Sequence, residues 1–387
     1  MLVSKLHFAR SSLTLREHLS LGVFVLAAEK QAPFVAIDLF SGGGGLTLGL
    51  KHAGFLVCSA VETEKHAAAT YAANHPEAVL YCKDIRAVSG DELLATSPTG
   101  RIDLIAACPP CQSFSSLTSK YKARDSRDEL INEFARIVRE LLPSTLMMEN
   151  VPGLAVKGAL FFEPVIEELK ALGYKITYDV VDVVNYGVPQ RRRRLVVLGS
   201  RTAPMSIPSA THQETPEKGL LAWETVRGAI GNGPVPVKLS DTRLKGGPKA
   251  LKWNVVRNLA PANIARLEAL KAGAQRMTLP DELRPKCHRG NSGFSNVYGR
   301  MSWDKPAPTI TGGCTTLSKG RFGHPSALRT ISVREAAALQ TFPEDYILET
   351  DFIDKACLII GNALPPLFAK IMASACAKNL KGDENAS

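Results

Sequence analysis

The apolar positions of this chain fall into short unbroken runs separated by stretches with helical spacing. Val35-Ala36-Ile37-Asp38-Leu39-Phe40 reads as a buried strand that runs into Ser41-Gly42-Gly43-Gly44-Gly45, and Leu46 to His52 reads as a helix. Phe55 to Val61 predicts a second strand ending at Glu62, with a helix over Glu64 to Asn74. Ile102 to Ala106 predicts a further strand. Leu130, Ile131, Phe134, Ile137, Val138 and Leu141 recur at helical intervals, so Asp128 to Leu142 is predicted helical. Thr145 to Met148 is a short buried strand ending at Glu149, Phe161 to Leu172 a helix, and Tyr178 to Val184 and Leu195 to Gly199 two more strands. Apolar strands alternating with helices make a mostly parallel sheet covered on both faces, so the expected class is α/β.

After Ser200 the pattern changes. Proline and glycine become frequent (Pro204, Pro208, Pro216, Gly231, Gly233, Pro234, Pro236, Gly246, Gly247, Pro248), and regular alternation is lost until Val333 to Thr341, which is predicted helical. This divides the chain into an unassigned extension over 1–32, a first domain over 33–200, a smaller irregular domain over 201–325 and a C-terminal segment over 326–387. Leu19 to Ala28 is apolar and follows Lys5, Arg10 and Arg16, loosely imitating a signal peptide. It is too short to cross a bilayer, so no membrane association is expected.

Charge adds a partner class. The formal net charge is +10 over 387 residues, but Arg191 to Arg329 holds 24 Lys and Arg against 8 Asp and Glu, a net of +16 that leaves −6 for the rest. A basic segment beside a mildly acidic body suits a polyanion on one face. A merely solvated basic surface is the blander alternative. The eight cysteines read as scattered without an even framework, which fits a reduced, intracellular compartment. Cys287, His288, Cys314 and His324 match no common zinc spacing, and no metal is expected.

The candidate chemistry sits where predicted strands end. Cys111 lies in Cys108-Pro109-Pro110-Cys111-Gln112-Ser113-Phe114-Ser115, directly after an apolar strand. Two prolines stiffen that loop and keep it out of helix and ladder, so the thiol is a candidate nucleophile rather than only a buried structural cysteine. Glu149, in Met148-Glu149-Asn150-Val151, ends a second strand at the same carboxyl edge, and burial there favours its protonated form. Arg192 and Arg194 alternate in Gln190-Arg191-Arg192-Arg193-Arg194-Leu195, so both guanidiniums share a face suited to phosphate or a base carbonyl. The glycine loop after the first strand lets a ligand approach the backbone, but it has neither a P-loop Lys-Ser/Thr nor a clean GxGxxG. Glu62 is placed to accept ribose hydroxyls, and Asp84, near the end of a third strand, to accept from an adenine amino group. An adenosine without a phosphate cradle points to S-adenosylmethionine.

In this order the motifs Asp38-Leu39-Phe40-Ser41-Gly42-Gly43-Gly44-Gly45, Pro110-Cys111-Gln112, Glu149-Asn150-Val151, Gln190 with Arg192 and Arg194, Arg334-Glu335-Ala336 and Gly361-Asn362 resemble the DNA (cytosine-5) methyltransferases of bacterial restriction-modification systems, from Phe34 almost to the end. The resemblance implies a class I, Rossmann-like S-adenosylmethionine-dependent sheet with a small target-recognition domain, and a C-terminal segment that returns to the catalytic domain. It implies a cofactor pocket of Asp38, Phe40, Ser41, Gly42, Gly44, Gly45, Glu62, Asp84, Ile85, Pro110 and Asn362. It gives Cys111 the role of covalent nucleophile, Glu149 that of acid at ring N3, and Asn150 that of holding the Cys111 loop. Arg194 is expected on the cytosine carbonyl, with Arg192 on phosphate or Glu149. Gln112, Ser113, Ser115, Lys120, Lys122, Gln190 and Arg192 are expected to meet DNA, with Ser113 to Arg127 closing on a flipped-out base. The implied partner is duplex DNA, acted on by a monomer in the cytoplasm, at the nucleoid, with room for a cognate restriction endonuclease. A tRNA cytosine-5 methyltransferase and a non-catalytic DNA-binding regulator on the same scaffold are the alternatives. The recognised sequence is not legible.

Overall fold

The computed structural model describes residues 33–110, 129–217, 219–289 and 296–384. Cys111, Gln112, Ser113, Ser115, Lys120 and Lys122, and the expected closing loop, lie outside the described residues, as does the apolar stretch Leu19 to Ala28. Seven strands form one sheet: β1 (Val35–Leu39), β2 (Leu56–Val61), β3 (Val79–Tyr81), β4 (Leu104–Ala107), β5 (Thr145–Asn150), β6 (Lys175–Asp182) and β7 (Arg193–Ser200). Their order is β3-β2-β1-β4-β5-β7-β6. Neighbours pair in parallel except β7, which runs antiparallel to both β5 and β6.

The period of two along each strand decides which face a side chain serves. Val35, Ile37, Leu39, Ile105, Leu146, Met148, Leu195 and Val197 join one buried cluster. This is the face covered by helices α4 (Leu130–Leu141) and α5 (Ala159–Ala171), through Phe134, Ile137, Val138, Phe162 and Val165. Phe34, Ala36, Leu104, Ala106, Met147, Val196 and Leu198 join a cluster on the opposite face. There α1 (Gly45–His52) and the last helix, α11 (Pro366–Glu384), pack against the sheet and each other. Burial on both faces is why these strands read as unbroken apolar runs. The short α2 (Lys65–Asn74) and α3 (Gly90–Leu94) follow β2 and β3.

Between residues 201 and 330 regular structure is sparse. Two-residue strands β8 (His212–Gln213), β9 (Leu221–Ala222), β10 (Val237–Lys238) and β11 (Val255–Val256) alternate with α6 (Val226–Ile230), α7 (Gly247–Ala250) and α8 (Pro261–Glu268). A third buried cluster joins this region to two helices nearer the C-terminus. Trp253, Ile310, Cys314 and Phe322 pack with Ala336, Ala337 and Leu339 of α9 (Val333–Leu339) and with Ala356, Cys357 and Ile360 of α10 (Ile353–Asn362). The residues after 325 thus serve two cores, α9 and α10 with the irregular region and α11 with the sheet.

Four strands depart from the sequence reading by more than one residue at an end. β4 spans Leu104–Ala107 rather than Ile102 to Ala106, and β7 spans Arg193–Ser200 rather than Leu195 to Gly199. β5 continues through Glu149 to Asn150, because Glu149 and Asn150 pair antiparallel with Val196 and Leu195. β6 spans Lys175–Asp182 instead of Tyr178 to Val184, and a 3-10 turn takes over at Val183.

Candidate active site and cofactor pocket

Strand alternation sets a row of chemistry-bearing side chains along one face of the carboxyl edge. Asp38 follows Ala36 in β1, Cys108 follows Ala106 after β4, Glu149 follows Met147 in β5, and Arg194 precedes Val196 in β7, all in phase with the face that carries α1 and α11. Ala107 registers with Met148 across β4 and β5, so Cys108 comes level with Glu149. Glu149 is 7% exposed, and Arg194 Nε lies 2.5 Å from its Oε1. Burial, followed by the Glu149 charge, pushes the Cys108 thiol well above its ordinary range. Asn150 Nδ2 donates to the Pro109 carbonyl at 3.0 Å, two residues before Cys111, and its Oδ1 accepts from Val151 N at 2.8 Å.

Two expected DNA contacts are corrected. Gln190 is fully buried; its Nε2 donates to Gln340 Oε1 at 2.7 Å and its Oε1 accepts from Ile310 N at 2.7 Å. Arg192 is 4% exposed and donates to the carbonyls of Ile310, Gly361 and Ala363. Burial pushes its pKa down to about 9, with the neighbouring Arg194 adding to the effect. Neither side chain faces a phosphate. Both tie the entry of β7 to Ile310, Gln190 adding Gln340 just past Leu339 and Arg192 adding the segment at Gly361 and Ala363. The arginine that reaches Glu149 is Arg194. Gly361 belongs to the same tie, because a Cβ there would stand 2.1 Å from the Thr311 carbonyl carbon.

The glycine loop is held from three sides. Phe40 takes a left-handed conformation (φ 60°), rare for an aromatic residue, which turns the chain at the end of β1. Ser41 N donates to the Val61 carbonyl, and Gly42 N to Glu62 Oε2 at 2.8 Å. Tyr346 OH donates to the Gly43 carbonyl at 2.5 Å. His75 Nε2 lies 3.1 Å from both the Gly44 carbonyl and Tyr346 OH. Gly44 has φ 89°, and a Cβ there would strike the His75 ring. Burial pushes His75 down to about 4, so a neutral ring braces the loop.

These residues fit an adenosyl cofactor. Glu62 is fixed by the Gly42, Thr63 and Glu64 amides, which leaves lone-pair capacity for a ribose hydroxyl. Burial raises its pKa above the usual carboxylate range. A Cβ on Gly42 would meet nothing within 4 Å among the described residues. Asp38 is fully buried; its Oδ2 accepts from Thr47 Oγ1 at 2.7 Å while Oδ1 has no partner among the described residues. Burial pushes Asp38 up to about 7. Asp84 is exposed at the start of a 3-10 turn, and its Oδ1 accepts from Arg86 N and Nε. Ile85 is buried in the sheet core, and Asn362 is exposed as the last residue of α10.

Cys108, His75, Gln340 and Tyr346 are absent from the sequence reading of the site. Cys108 had a signal, since Cys108 and Cys111 have C-x-x-C spacing that a view of the cysteines as scattered passes over. Tyr346 had none, because it meets the loop from 303 positions away.

The sheet order, the braced glycine loop and the Glu62 carboxylate define a class I methyltransferase that uses S-adenosylmethionine. Residues 34–378 match the family model described as C-5 cytosine-specific DNA methylase, and the chain belongs to that family. It is 36% identical to the Type II methylase M.HgiDII of Herpetosiphon aurantiacus, over 89% of this chain and 96% of that one. It is 34% identical to the Type II methyltransferase M1.HphI of Haemophilus parahaemolyticus, over 88% and 86%. Among solved structures, a protein of an E. coli prophage described as a DNA modification methyltransferase shares the fold at TM-score 0.66 and 24% identity, covering 90% of this chain and 99% of that chain. Spodoptera frugiperda DNMT2 does so at 0.59 and 17%, covering 90% and 98%. The protein is a DNA (cytosine-5) methyltransferase of the restriction-modification type, and DNA is its substrate.

Proposed function

We propose that the enzyme methylates one cytosine within a specific duplex sequence through a covalent bond from Cys111 to ring carbon 6. Carbon 5 of cytosine is a weak nucleophile until a thiolate adds next to it and leaves an enamine. S-adenosylmethionine, when bound, supplies a sulfonium methyl group that a carbon nucleophile can take. Glu62, Asp38, the glycine loop and the neighbourhood of Asp84, Ile85, Pro110 and Asn362 would hold it. Glu149 holds a proton at ring N3, neutralising charge that develops as the thiolate adds. Arg194 orients Glu149 and reaches the cytosine carbonyl oxygen. Asn150 steadies the loop that presents Cys111 by its bond to the Pro109 carbonyl. Loss of the carbon 5 proton and of the thiol then releases 5-methylcytosine. The ring must leave the stack to reach this edge.

One observation carries the assignment: the Glu149–Arg194 ion pair is buried level with the strand end from which the Cys111 loop departs. Replacing Cys111 with Ser is expected to abolish methyl transfer and trapping of the enzyme on 5-fluorocytosine DNA while S-adenosylhomocysteine binding persists. Full transfer by that variant would refute the covalent route. The enzyme is read as a cytoplasmic monomer working at the nucleoid, with room for a cognate endonuclease as partner. Bisulfite sequencing of DNA from an expressing host identifies the modified site, and tritiated cofactor offered with tRNA or DNA separates the two nucleic-acid substrates.

A further inference from the structure

A cleft of about 240 Å³ opens where β7 meets the irregular region. Arg191, Trp223, Lys305 and Arg321 line it, with Arg300 and Glu214. It has a built floor, since the 189–191 backbone exchanges hydrogen bonds with Ala307 and Thr309 Oγ1 donates to the Arg191 carbonyl. Arg191 is spread over Trp223, 4.7 Å from the ring centre, and its Nε donates to Asp182. Trp223 is itself fixed by Nε1 donating to Asn185. Arg300 is fully engaged with the carbonyls of Leu267, His324 and Ala327. Arg321 differs. Its Nε is buried without a partner, no ion pair reaches it among the described residues, and burial lowers its pKa. Lys305 is exposed and likewise has no side-chain partner among them.

A half-buried guanidinium without a counter-charge bears a desolvation cost that an anion offsets. Glu214 supplies only one exposed carboxylate to a cleft with four cationic side chains. Arg191 lies three residues before Arg194 and two before β7 begins, roughly 10 Å along the chain. That separation lies within the span of a bound duplex, whose phosphates recur about every 3.4 Å along each strand. We propose that Arg321 and Lys305, beside the Trp223-stacked Arg191, form a binding site for a phosphodiester of the DNA backbone next to the target cytosine. The site positions the duplex and reads no base. This rests on the enzyme acting on DNA.

The test uses the full chain, a labelled 30-base-pair duplex and anisotropy titrations across a range of salt. The Arg321→Ala, Lys305→Ala double variant is expected to lose roughly tenfold in affinity, equally on methylatable and unrelated duplexes. The slope of log affinity against log salt should fall by about 1, the value of one released phosphate contact. Arg321→Lys is expected to restore most of the slope. Calorimetric binding of S-adenosylhomocysteine reports that each variant is folded, and if the double variant loses it, the Lys305→Ala single variant carries the measurement. An unchanged slope overturns the proposal, as does a loss confined to the methylatable duplex, which would mark a base reader. Saturable binding of inorganic phosphate by the free enzyme, abolished in the double variant while duplex affinity is kept, would assign the cleft to free phosphate and overturn it too. A wild-type chain that binds no duplex would sink the DNA reading itself, a separate outcome.

Discussion

The sheet and the irregular region solve different problems with the same chain. In the sheet, strands of up to eight residues hold each side chain to one of two faces, and Asp38, Glu149 and Arg194 align on one of them, with Cys108 one residue past β4. Between 201 and 330 no strand among the described residues exceeds two residues, and the order comes from turns, buried arginines and a shared apolar cluster. Arg300 and Arg192 each satisfy three main-chain carbonyls, a task that ladder hydrogen bonds perform in the sheet. Glu149 and Arg194 sit on pleated strands, and Cys111 follows one in sequence. The irregular region is instead a scaffold of turns.

The largest expected effect lies on the sheet side. Glu149→Gln keeps shape and volume but removes the acid, so single-turnover methyl transfer should fall by roughly 10²- to 10⁴-fold while cofactor affinity is retained. A fall of less than tenfold would remove Glu149 from the proton-transfer role. Next comes Trp253, 1% exposed in the third cluster, with Nε1 donating to the Leu348 carbonyl. Trp253→Ala should destabilise by about 3–5 kcal/mol. A single unfolding transition in urea, monitored by both circular dichroism and activity, would mean that the two regions melt together; an early partial transition would mean that the irregular region is a separate cooperative unit.

Asp38 gives an effect that depends on pH. Its folded value of about 7 lies above the ordinary carboxylate range because of burial. Between pH 4 and 7 the folded chain holds a proton that the unfolded chain releases, so stability declines as pH rises through that window. Asp38→Asn should remove up to about 4 kcal/mol of that decline, read as converging denaturation midpoints at pH 5 and pH 8. Parallel pH profiles for variant and wild type would contradict the buried-acid assignment. The smallest effect separates the two regions again. Lys170→Ala on α5 and Arg227→Ala in the irregular region each remove an exposed ion pair, with Glu167 and Asp304, and neither should move the midpoint measurably. Only Arg227→Ala should reduce the salt dependence of DNA binding. If both leave it untouched, this part of the positive charge is a solvated surface.

Much of the sheet was legible because its signal is local. A strand buried on both faces announces itself over five or six residues, and Glu62, Glu149 and the glycine loop sit at its ends. The misreadings share one cause, which is distance along the chain. Nothing near Arg192 says that its acceptors are Ile310 and Gly361, 118 and 169 positions away, so an arginine run on a strand looked like a phosphate site. Gln190 failed for the same reason, through its pairing with Gln340. The length of β5 was underestimated because pairing with β7, not the composition of β5, carries it through Asn150. In the irregular region, alternation is absent and sequence supplied only its charge and its turns.

The brace on the glycine loop bears on biosynthesis. Tyr346 and the α11 helix, whose Ala369 packs against Gly49, come from the last tenth or so of the chain. A ribosome that has delivered the whole sheet has therefore not yet delivered the parts that lock its ligand loop. Products terminated before Tyr346 would carry every strand of the sheet yet lack both the brace on the glycine loop and the helix packed on Gly49.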